Sequence, residues 1–323
     1  MNAVREILYP SLTGLGDIYA KLWMPKNKPA AILQIAHGVA EHIERYADFA
    51  NFLNMHDILV AGNDHAGHGK SLHVESNKGY YGRGNGWSSL VGDIKALKEI
   101  LRIEYPNLPY IILGHSMGSF LVRSFASRFG GDVVAFIFSG TSGKNPALGL
   151  GKFMAKLEAL FKEPNSPSKL LDKLSFGTYN KKFAPSRTNF DWLSRDTEMV
   201  DLYVSDELCG FVNPVEGMLA MFQGLEEITG KSWAGKVPDI PILLISGQQD
   251  PVGGYGKGVH EVCGWLKETG HNRITCKLYP GGRHEMLNET NRAEVYEDIL
   301  GFIKETIGDK YFIGGQHGNN DIS

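Results

Sequence analysis

The segment YIILGHSMGSFLVRSFASRF (residues 110–129) contains a buried-strand pattern, a glycine-flanked serine and a helix pattern in direct succession. Residues 110–115 are almost continuously apolar, as in a strand that is covered on both faces. GHSMG (114–118) matches G-x-S-x-G, in which the serine lies on a sharp turn between a strand and a helix. Larger flanking side chains would collide in such a turn. We therefore predict that Ser116 is an exposed nucleophile and that the N–H of Met117 points toward a developing oxyanion.

Five further apolar, β-rich runs resemble the strand in this segment, and helical patterns alternate with them. The strand patterns are AAILQIAH (30–37), ILVAGND (58–64), VVAFIFSG (133–140), IPILLISG (240–247) and RITCKLYP (273–280). The helical patterns include RYADFANFLNMH (45–56), SSLVGDIKALKEILRIEY (88–105) and NRAEVYEDILGFIKETI (291–307). This alternation predicts an α/β fold, with a mostly parallel central sheet flanked by helices.

The alternation stops over residues 142–236, where no convincing strand pattern occurs. Apolar residues instead recur there at helical spacing: Leu150, Phe153, Met154, Leu157, Leu160 and Phe161. We predict a helical lid at 142–236, inserted between core segments 1–141 and 237–308 and followed by a polar tail at 309–323. The apolar stripe has three interpretations: it lines an acyl tunnel, docks on a membrane or micelle surface, or packs on the core.

A serine hydroxyl needs a base, and on this fold the acid and then the histidine follow the serine along the chain. His284 lies in GGRHEMLNE (281–289), between the last strand and the last helix, where a loop can reach the nucleophile. His271 precedes that strand and is interpreted as solvated. Asp250 follows the strand at 240–247 and can accept the histidine N–H. The other position for an acid, in SGTSG (139–143), has no carboxylate, which strengthens Asp250.

A second oxyanion donor is expected from the loop after the strand at 30–37. We predict the backbone N–H of Val39 for this role, with Gly38 allowing close approach of the substrate oxygen. The segment NDHAGHGKS (63–71) suggests a metal site, but we interpret its aspartate and glycines as the residues of a tight loop. No metal and no cofactor is expected.

The overall composition excludes several classes of protein. The net charge of -3 gives no basic excess for nucleic-acid binding. The three cysteines are widely spaced, which indicates reduced thiols rather than a disulfide framework. The first residues lack a signal-peptide pattern, and no apolar run approaches the roughly 20 residues of a spanning helix. These features predict a cytoplasmic enzyme, and they leave the oligomeric state open.

Five motifs and one lid segment, in order along the chain, resemble the monoacylglycerol lipase and lysophospholipase group of the α/β-hydrolases, a serine aminopeptidase-like family. The matching segments are HGVAEHIERY (37–46), DHAGHGKS (64–71), GHSMGS (114–119), SRDTEMVDLYVSD (194–206), SGQQDPV (246–252) and GGRHEML (281–287). The resemblance implies an α/β-hydrolase fold, a triad of Ser116, Asp250 and His284, and oxyanion donors at Val39 and Met117.

The resemblance also suggests that Glu41 and Arg45 lie near a glycerol head group, although their i, i+4 spacing equally indicates a helical ion pair. Gly38 and His115 are expected to contact the substrate as well. The expected reaction is hydrolysis of a carboxylic ester through an acyl-enzyme, with monoacylglycerol as the first substrate.

Three alternatives stay open. They are a short-chain carboxylesterase, an aminopeptidase or amide hydrolase, and a non-catalytic ligand sensor, which the intact triad argues against. An aminopeptidase would use lid carboxylates to bind the substrate amine, and the acidic candidates are Asp196, Glu198, Asp201, Asp206 and Glu207.

Overall fold

A mixed sheet of eight strands forms the centre of the computed structural model, which describes residues 3–308. The strands are β1 (Val4–Pro10), β2 (Asp17–Trp23), β3 (Ala31–Ala36), β4 (Ile58–Asn63), β5 (Tyr110–His115), β6 (Ala135–Ser139), β7 (Ile242–Gly247) and β8 (Ile274–Tyr279). Their order is β1-β2-β4-β3-β5-β6-β7-β8. Strands β3 to β8 pair in parallel, whereas β1 and β2 are antiparallel to their neighbours. The predicted α/β-hydrolase fold is therefore confirmed.

Strands β1 and β2 were not expected from the sequence. The side chains of β1 alternate between exposed and partly buried because this strand lies at the sheet edge. An edge strand lacks the continuous apolar run by which the buried strands were recognised.

Ten α-helices connect and cover the strands within the described residues. They are α1 (Ala47–Asn54), α2 (Gly86–Glu104), α3 (Met117–Phe129), α4 (Leu148–Glu158), α5 (Lys169–Phe176), α6 (Thr197–Ser205), α7 (Val215–Glu227), α8 (Lys231–Ala234), α9 (Lys257–Glu268) and α10 (Arg292–Ile307). Alternate residues of each buried strand face opposite sides. On β5, Ile112 packs with α2, α3 and α9, whereas Leu113 packs with α1 and α10. Each face of the sheet therefore has its own apolar layer.

The segment between β6 and β7, here called the cap segment (142–236), contains α4 to α8 and none of the eight strands described for residues 3–308. Arg123, buried on α3, contacts the start of this segment and the end of α7. The guanidinium donates to the Ser142 carbonyl at 2.7 Å, where the chain leaves β6, and to the Ile228 carbonyl at 2.5 Å, where it leaves α7. The Trp233 ring covers it at 4.3 Å. One core residue thus joins the start of the cap segment to the end of α7.

The predicted polar tail at 309–323 lies outside the described residues. Across the part of the chain that the structure covers, we find no helix with the length and apolar character needed to cross a membrane.

Candidate active site

Ser116 lies at the turn between β5 and α3 with φ 52° and ψ −122°. This conformation is strained for a residue with a side chain. The backbone holds it because the Ser116 N–H donates to the Ser139 carbonyl at 2.9 Å and its carbonyl accepts from the Ser119 N–H at 2.9 Å. A Cβ at Gly114 would collide with the Gly118 backbone, and a Cβ at Gly118 with the Ala36 carbonyl. The two glycines are therefore required by the close packing of β3, β5 and α3.

Asp250 and His284 form a buried pair at the same edge of the sheet. The His284 Nδ1–H donates to Asp250 Oδ2 at 3.0 Å, and the two residues are 1% and 0% exposed. Asp250 follows β7, and its carboxylate also accepts from the Ser246 hydroxyl at 2.9 Å and the Val252 N–H at 2.8 Å. These bonds fix the carboxylate, which in turn fixes the orientation of the imidazole.

Burial alone would lower the pKa of His284, but the charge of Asp250 and its hydrogen bond outweigh this effect and raise it. His284 Nε2 is buried and has no hydrogen-bond partner within residues 3–308. Among these residues no hydrogen bond joins it to Ser116, although both side chains line one cavity. The imidazole thus carries a free acceptor and a partner that stabilises its charged form, as a general base requires.

The loop after β3 brings a second backbone donor to the cavity. Val39 and Met117 both line it, and neither amide N–H has an acceptor among the described residues. The Gly38 N–H donates to Glu41 Oε1 at 2.5 Å, and Ala40 has a φ of 53°. The loop is therefore held in one tight conformation, with the Val39 amide unpaired.

The segment at 63–71 supports this loop, which we did not expect. The Ala40 N–H donates to His68 Nε2 at 3.2 Å, while His68 Nδ1–H donates to the Ala66 carbonyl at 3.1 Å. His37 Nε2 accepts from the His65 N–H at 3.0 Å. Burial lowers the pKa of His68 to about 4 and that of His65 to about 3. These histidines are neutral supports of the loop at 37–42, which contains the predicted oxyanion donor Val39 and is here called the oxyanion loop. The sequence alone gave one signal: three histidines close to two predicted strand ends.

The turn expected at Asp64 is present. Its Oδ1 accepts from the Ile43 N–H at 2.8 Å and its Oδ2 from the Lys70 N–H at 2.7 Å, while Gly67 and Gly69 have positive φ values. The prediction that His271 is solvated is wrong. Its side chain is buried, and its Nε2–H donates to the Val237 carbonyl at 3.0 Å.

Glu41 lines the cavity, whereas Arg45 does not. Arg45 donates to Glu41 Oε2 at 2.6 Å and to both oxygens of Glu285 at 2.7 Å. Burial opposes ionisation of Glu285, but Arg45 lowers its pKa to about 2. The Tyr46 hydroxyl also donates to Glu41, at 2.9 Å. The i, i+4 ion pair is thus part of a buried network, and Glu285, which the sequence did not single out, completes it.

His115 and Gly38 also line the cavity. The His115 ring lies 4.7 Å from the His284 ring, and its Nδ1 lies 3.4 Å from the Ser139 hydroxyl. Burial, together with the nearby His284, lowers the pKa of His115 to about 4. His115 is therefore a neutral neighbour of His284.

The cavity above Ser116 has a volume of about 1080 Å³. Its base carries the polar side chains Glu41, His115, Ser116, His284 and Glu285. The rest of the lining is mixed. Its apolar part consists of Leu148, Leu150, Phe176, Met221, Phe222, Leu225 and Val252, most of them from the cap segment, and its charged part includes Lys144, Asp172, Lys173, Lys257 and Glu261. The volume reaches the upper end of the range for small-molecule sites, about 300–1,000 Å³. The apolar part of this lining can contact an elongated apolar group whose reactive polar end lies at Ser116.

Comparison with known proteins agrees with this geometry. Residues 27–291 match the model of the family described as serine aminopeptidase, S33. The chain belongs to this family. A monoacylglycerol lipase of Mycolicibacterium smegmatis is 29% identical over 91% of this chain and 95% of its own length. The rat monoglyceride lipase is 28% identical over 92% of this chain and 89% of its own length.

The similarity to solved structures extends over nearly the whole chain. A thermostable carboxyl esterase from Bacillus coagulans, in complex with glycerol, superposes with a TM-score of 0.89 and 34% identity. The match covers 95% of this chain and 100% of the esterase. This member of the serine aminopeptidase S33 family is a serine ester hydrolase.

Proposed function

We propose that the protein hydrolyses monoacylglycerols with medium or long acyl chains, through an acyl-enzyme on Ser116. The observation that carries the proposal is the pair of Asp250 and His284 beside a strained serine, in a large cavity that is partly lined by apolar side chains of the cap segment. The names of the relatives, two of them lipases of monoacylglycerols and one an esterase with bound glycerol, support the same substrate class.

In the first half of the reaction the Ser116 hydroxyl attacks the ester carbonyl while His284 Nε2 takes its proton. Asp250 stabilises the imidazolium that forms. The carbonyl oxygen becomes an oxyanion and accepts from the Val39 and Met117 N–H groups, each such donor contributing about 10²–10³ in rate. His284 then donates the proton to the leaving alcohol, and the acyl group stays on Ser116.

In the second half, water attacks the acyl-enzyme along the same path. His284 takes a proton from the water, the oxyanion returns to the same two N–H groups, and collapse releases the acid and restores Ser116. We assign no metal or cofactor to these steps.

The head group is assigned to the polar base of the cavity, near Glu41 and Glu285. Arg45 acts indirectly because its donors are occupied by these two carboxylates. The acyl chain is assigned to the wall formed by Met221, Phe222 and other cap residues.

A hydrolysis panel tests the substrate. It compares monoacylglycerols of increasing chain length, lysophospholipids and short aryl esters, with Ser116→Ala as the blank. We expect the highest kcat/KM for medium- or long-chain monoacylglycerols. Met221→Trp fills the wall and should shift the preference to shorter chains while leaving turnover of a short aryl ester unchanged. A preference for short aryl esters without glycerol release would contradict the substrate and leave a general esterase.

An aminopeptidase activity has less support. None of the five candidate carboxylates (Asp196, Glu198, Asp201, Asp206 and Glu207) lines the cavity. Asp196 caps α6 and pairs with Arg292, and Asp206 pairs with His42. Asp196 and Asp206 are therefore engaged outside the cavity. Release rates from aminoacyl amides, measured beside the ester panel, test this alternative.

We also propose that residues 142–236 act as a lid that contacts lipid surfaces. Leu150, Phe153, Leu157, Leu160 and Phe161 are 42–82% exposed, on α4 and the turn after it. An exposed apolar patch of this kind favours interfacial binding. Phe153→Asp with Phe161→Asp should abolish sedimentation with lipid vesicles. Ile103→Asp, at an 85% exposed apolar residue of α2, is the matched control and should have no effect.

The cytoplasm is our proposed location. The free thiols of Cys209, Cys263 and Cys276 support it, because such thiols persist in reducing compartments. Recovery of the native protein in a periplasmic or secreted fraction would contradict this location.

A further inference from the structure

A mixed group of potential metal ligands lies outside the catalytic cavity. His42 is the last residue of the oxyanion loop in the core, and Asp206 and Cys209 follow α6 in the cap segment. The His42 nitrogen, an Asp206 oxygen and the Cys209 sulfur all lie within 4.8 Å of one another. Over residues 3–308 this is the one group of three or more such side chains. The group therefore bridges the core and the cap segment.

The donor types favour zinc. Imidazole nitrogen, carboxylate oxygen and thiolate sulfur are its usual protein ligands, whereas Mg²⁺ and Ca²⁺ take oxygen. Zinc bonds of about 2.0–2.3 Å in a tetrahedron place the ligand atoms about 3.3–3.7 Å apart. A limit of 4.8 Å between the ligand atoms is close enough for side-chain adjustments to complete the site. Three protein ligands leave the fourth position for water.

The surroundings of the three side chains suit a cation. His42 and Cys209 are 9% and 8% exposed, and the Asp206 side chain, 32% exposed, gives access from solvent. The Cys209 sulfur has no hydrogen-bond partner among the described residues, so no existing bond opposes its coordination. The His42 Nε2–H donates to Asp206 Oδ2 at 2.8 Å. This hydrogen bond keeps the two ligand atoms together, and the metal would replace its proton, with the neutral imidazole keeping a proton on Nδ1.

The local charge is negative before any ion binds. Arg45 contributes one positive charge near the group, and the carboxylates of Glu41, Glu285 and Asp206 contribute three negative charges. A dication would supply the missing positive charge, and the thiol proton would leave to solvent on binding.

We propose that His42, Asp206 and Cys209 bind one Zn²⁺ ion that ties the cap segment to the oxyanion loop and slows turnover. Hydrogen bonds already join the cap segment to the oxyanion loop next to this group. The Ala40 carbonyl accepts from the Gly210 N–H and the Tyr203 hydroxyl, both at 2.9 Å. Drawing Cys209 toward His42 pulls on Ala40, and Ala40 adjoins the Val39 donor. The kinetic effect rests on the proposed function, whereas binding does not.

Binding is tested with Co²⁺ as a spectroscopic substitute for zinc, added to the metal-free full chain. We expect a near-ultraviolet thiolate-to-cobalt band that saturates at one ion per chain and disappears on addition of Zn²⁺. Cys209→Ser should abolish the band. Cys263→Ser with Cys276→Ser is the matched control and should keep it. No band in the parent protein, or loss of the band only in the control, overturns the site.

The kinetic effect is tested with a soluble aryl ester. Zn²⁺ should lower kcat at least about tenfold, a chelator should restore it, and Cys209→Ser should keep basal turnover while losing the inhibition. If Cys209→Ser does not fold, Asp206→Asn replaces it in this test, because it retains a hydrogen-bonding side chain beside His42. The same result is expected: basal turnover is kept and the inhibition is lost. Equal inhibition of the parent and the variants would place the inhibitory ion elsewhere and overturn the regulatory proposal, whatever the hydrolase activity is.

Discussion

Two sets of buried histidines at the carboxyl edge of the sheet have opposite electrostatics. His284 donates to a carboxylate, which raises its pKa against the effect of burial. His37, His65 and His68 bond to backbone groups, and burial lowers the pKa of each. All four are 0–1% exposed, so burial does not distinguish them. The partner of each ring decides whether it can carry a proton or must stay neutral as a support.

The largest expected effect follows from removing the base. His284→Ala should lower kcat by about 10⁶-fold, because the serine then has no proton acceptor. Initial rates on a soluble ester, with circular dichroism to verify folding, measure this loss. Activity within tenfold of the parent in a folded variant would contradict the role of His284 as the base, and with it the distinction between the two sets of histidines.

Asp250→Asn tests whether the partner sets the role. We expect a loss of about 10⁴-fold in kcat, since the amide no longer stabilises the imidazolium. In the parent, kcat/KM should rise with pH through an apparent pKa above 6.5, because His284 must be neutral to act as base and its pKa is raised. In the variant the midpoint should move to lower pH. An unchanged midpoint would show that Asp250 does not control this titration.

The supporting histidines should make the fold acid-labile. Above about pH 6.5 these rings are neutral in both the folded and the unfolded chain, so full stability is present. Between about pH 6.5 and pH 4, His68 binds a proton in the unfolded chain but stays neutral in the folded protein, where its pKa is about 4. Stability should therefore fall as the pH falls through this window, by on the order of 3 kcal/mol for His68.

Urea unfolding at several pH values measures this slope. His68→Gln should make it shallower, since glutamine does not titrate. A slope unchanged by the substitution would assign the acid lability to other groups.

The smallest expected effect concerns the oxyanion loop. His68→Phe keeps the ring between Tyr81 and Phe211 but loses the acceptor for the Ala40 N–H, so kcat should fall by up to about 10²-fold with little change in KM. His68→Gln can present an oxygen near the Nε2 position and should recover most of the rate.

His271→Phe is the matched control, because His271 is equally a buried histidine bonded to a backbone carbonyl, and it lies away from the cavity. It should reduce stability and leave kcat unchanged. A kcat loss equal to that of His68→Phe would indicate general destabilisation rather than loop positioning.

The sequence was most informative where one short segment contains both the residues that determine the backbone turn and the reactive side chain. The turn at 114–118 is local, so its glycines and serine predict both the crossing of β5 into α3 and the nucleophile. The positions of Asp250 and His284 follow from the strand order, because parallel strands deliver their carboxyl ends to one edge.

Contacts between distant segments were not predictable in this way. His68 supports Ala40 across 28 positions, and Glu285 binds Arg45 across 240. The spacing of Glu41 and Arg45 indicated a local ion pair or a head-group site, but not a buried network with a third carboxylate. His271 carried no signal of burial, since its backbone acceptor at Val237 lies 34 positions away.

The contacts of the Arg123 guanidinium bear on how much the cap segment can vary in sequence. This one buried side chain binds the Ser142 and Ile228 carbonyls. The residues between these two contacts can therefore change while both contacts still attach the segment to the core. If the cap segment selects the acyl chain as proposed, exchanging these residues for those of a relative, at junctions just inside Ser142 and Ile228, should transfer that relative's acyl-chain preference. Replacing Arg123 by a neutral side chain would remove the hydrogen bonds at both junctions, and we expect such chimaeras to be inactive or misfolded.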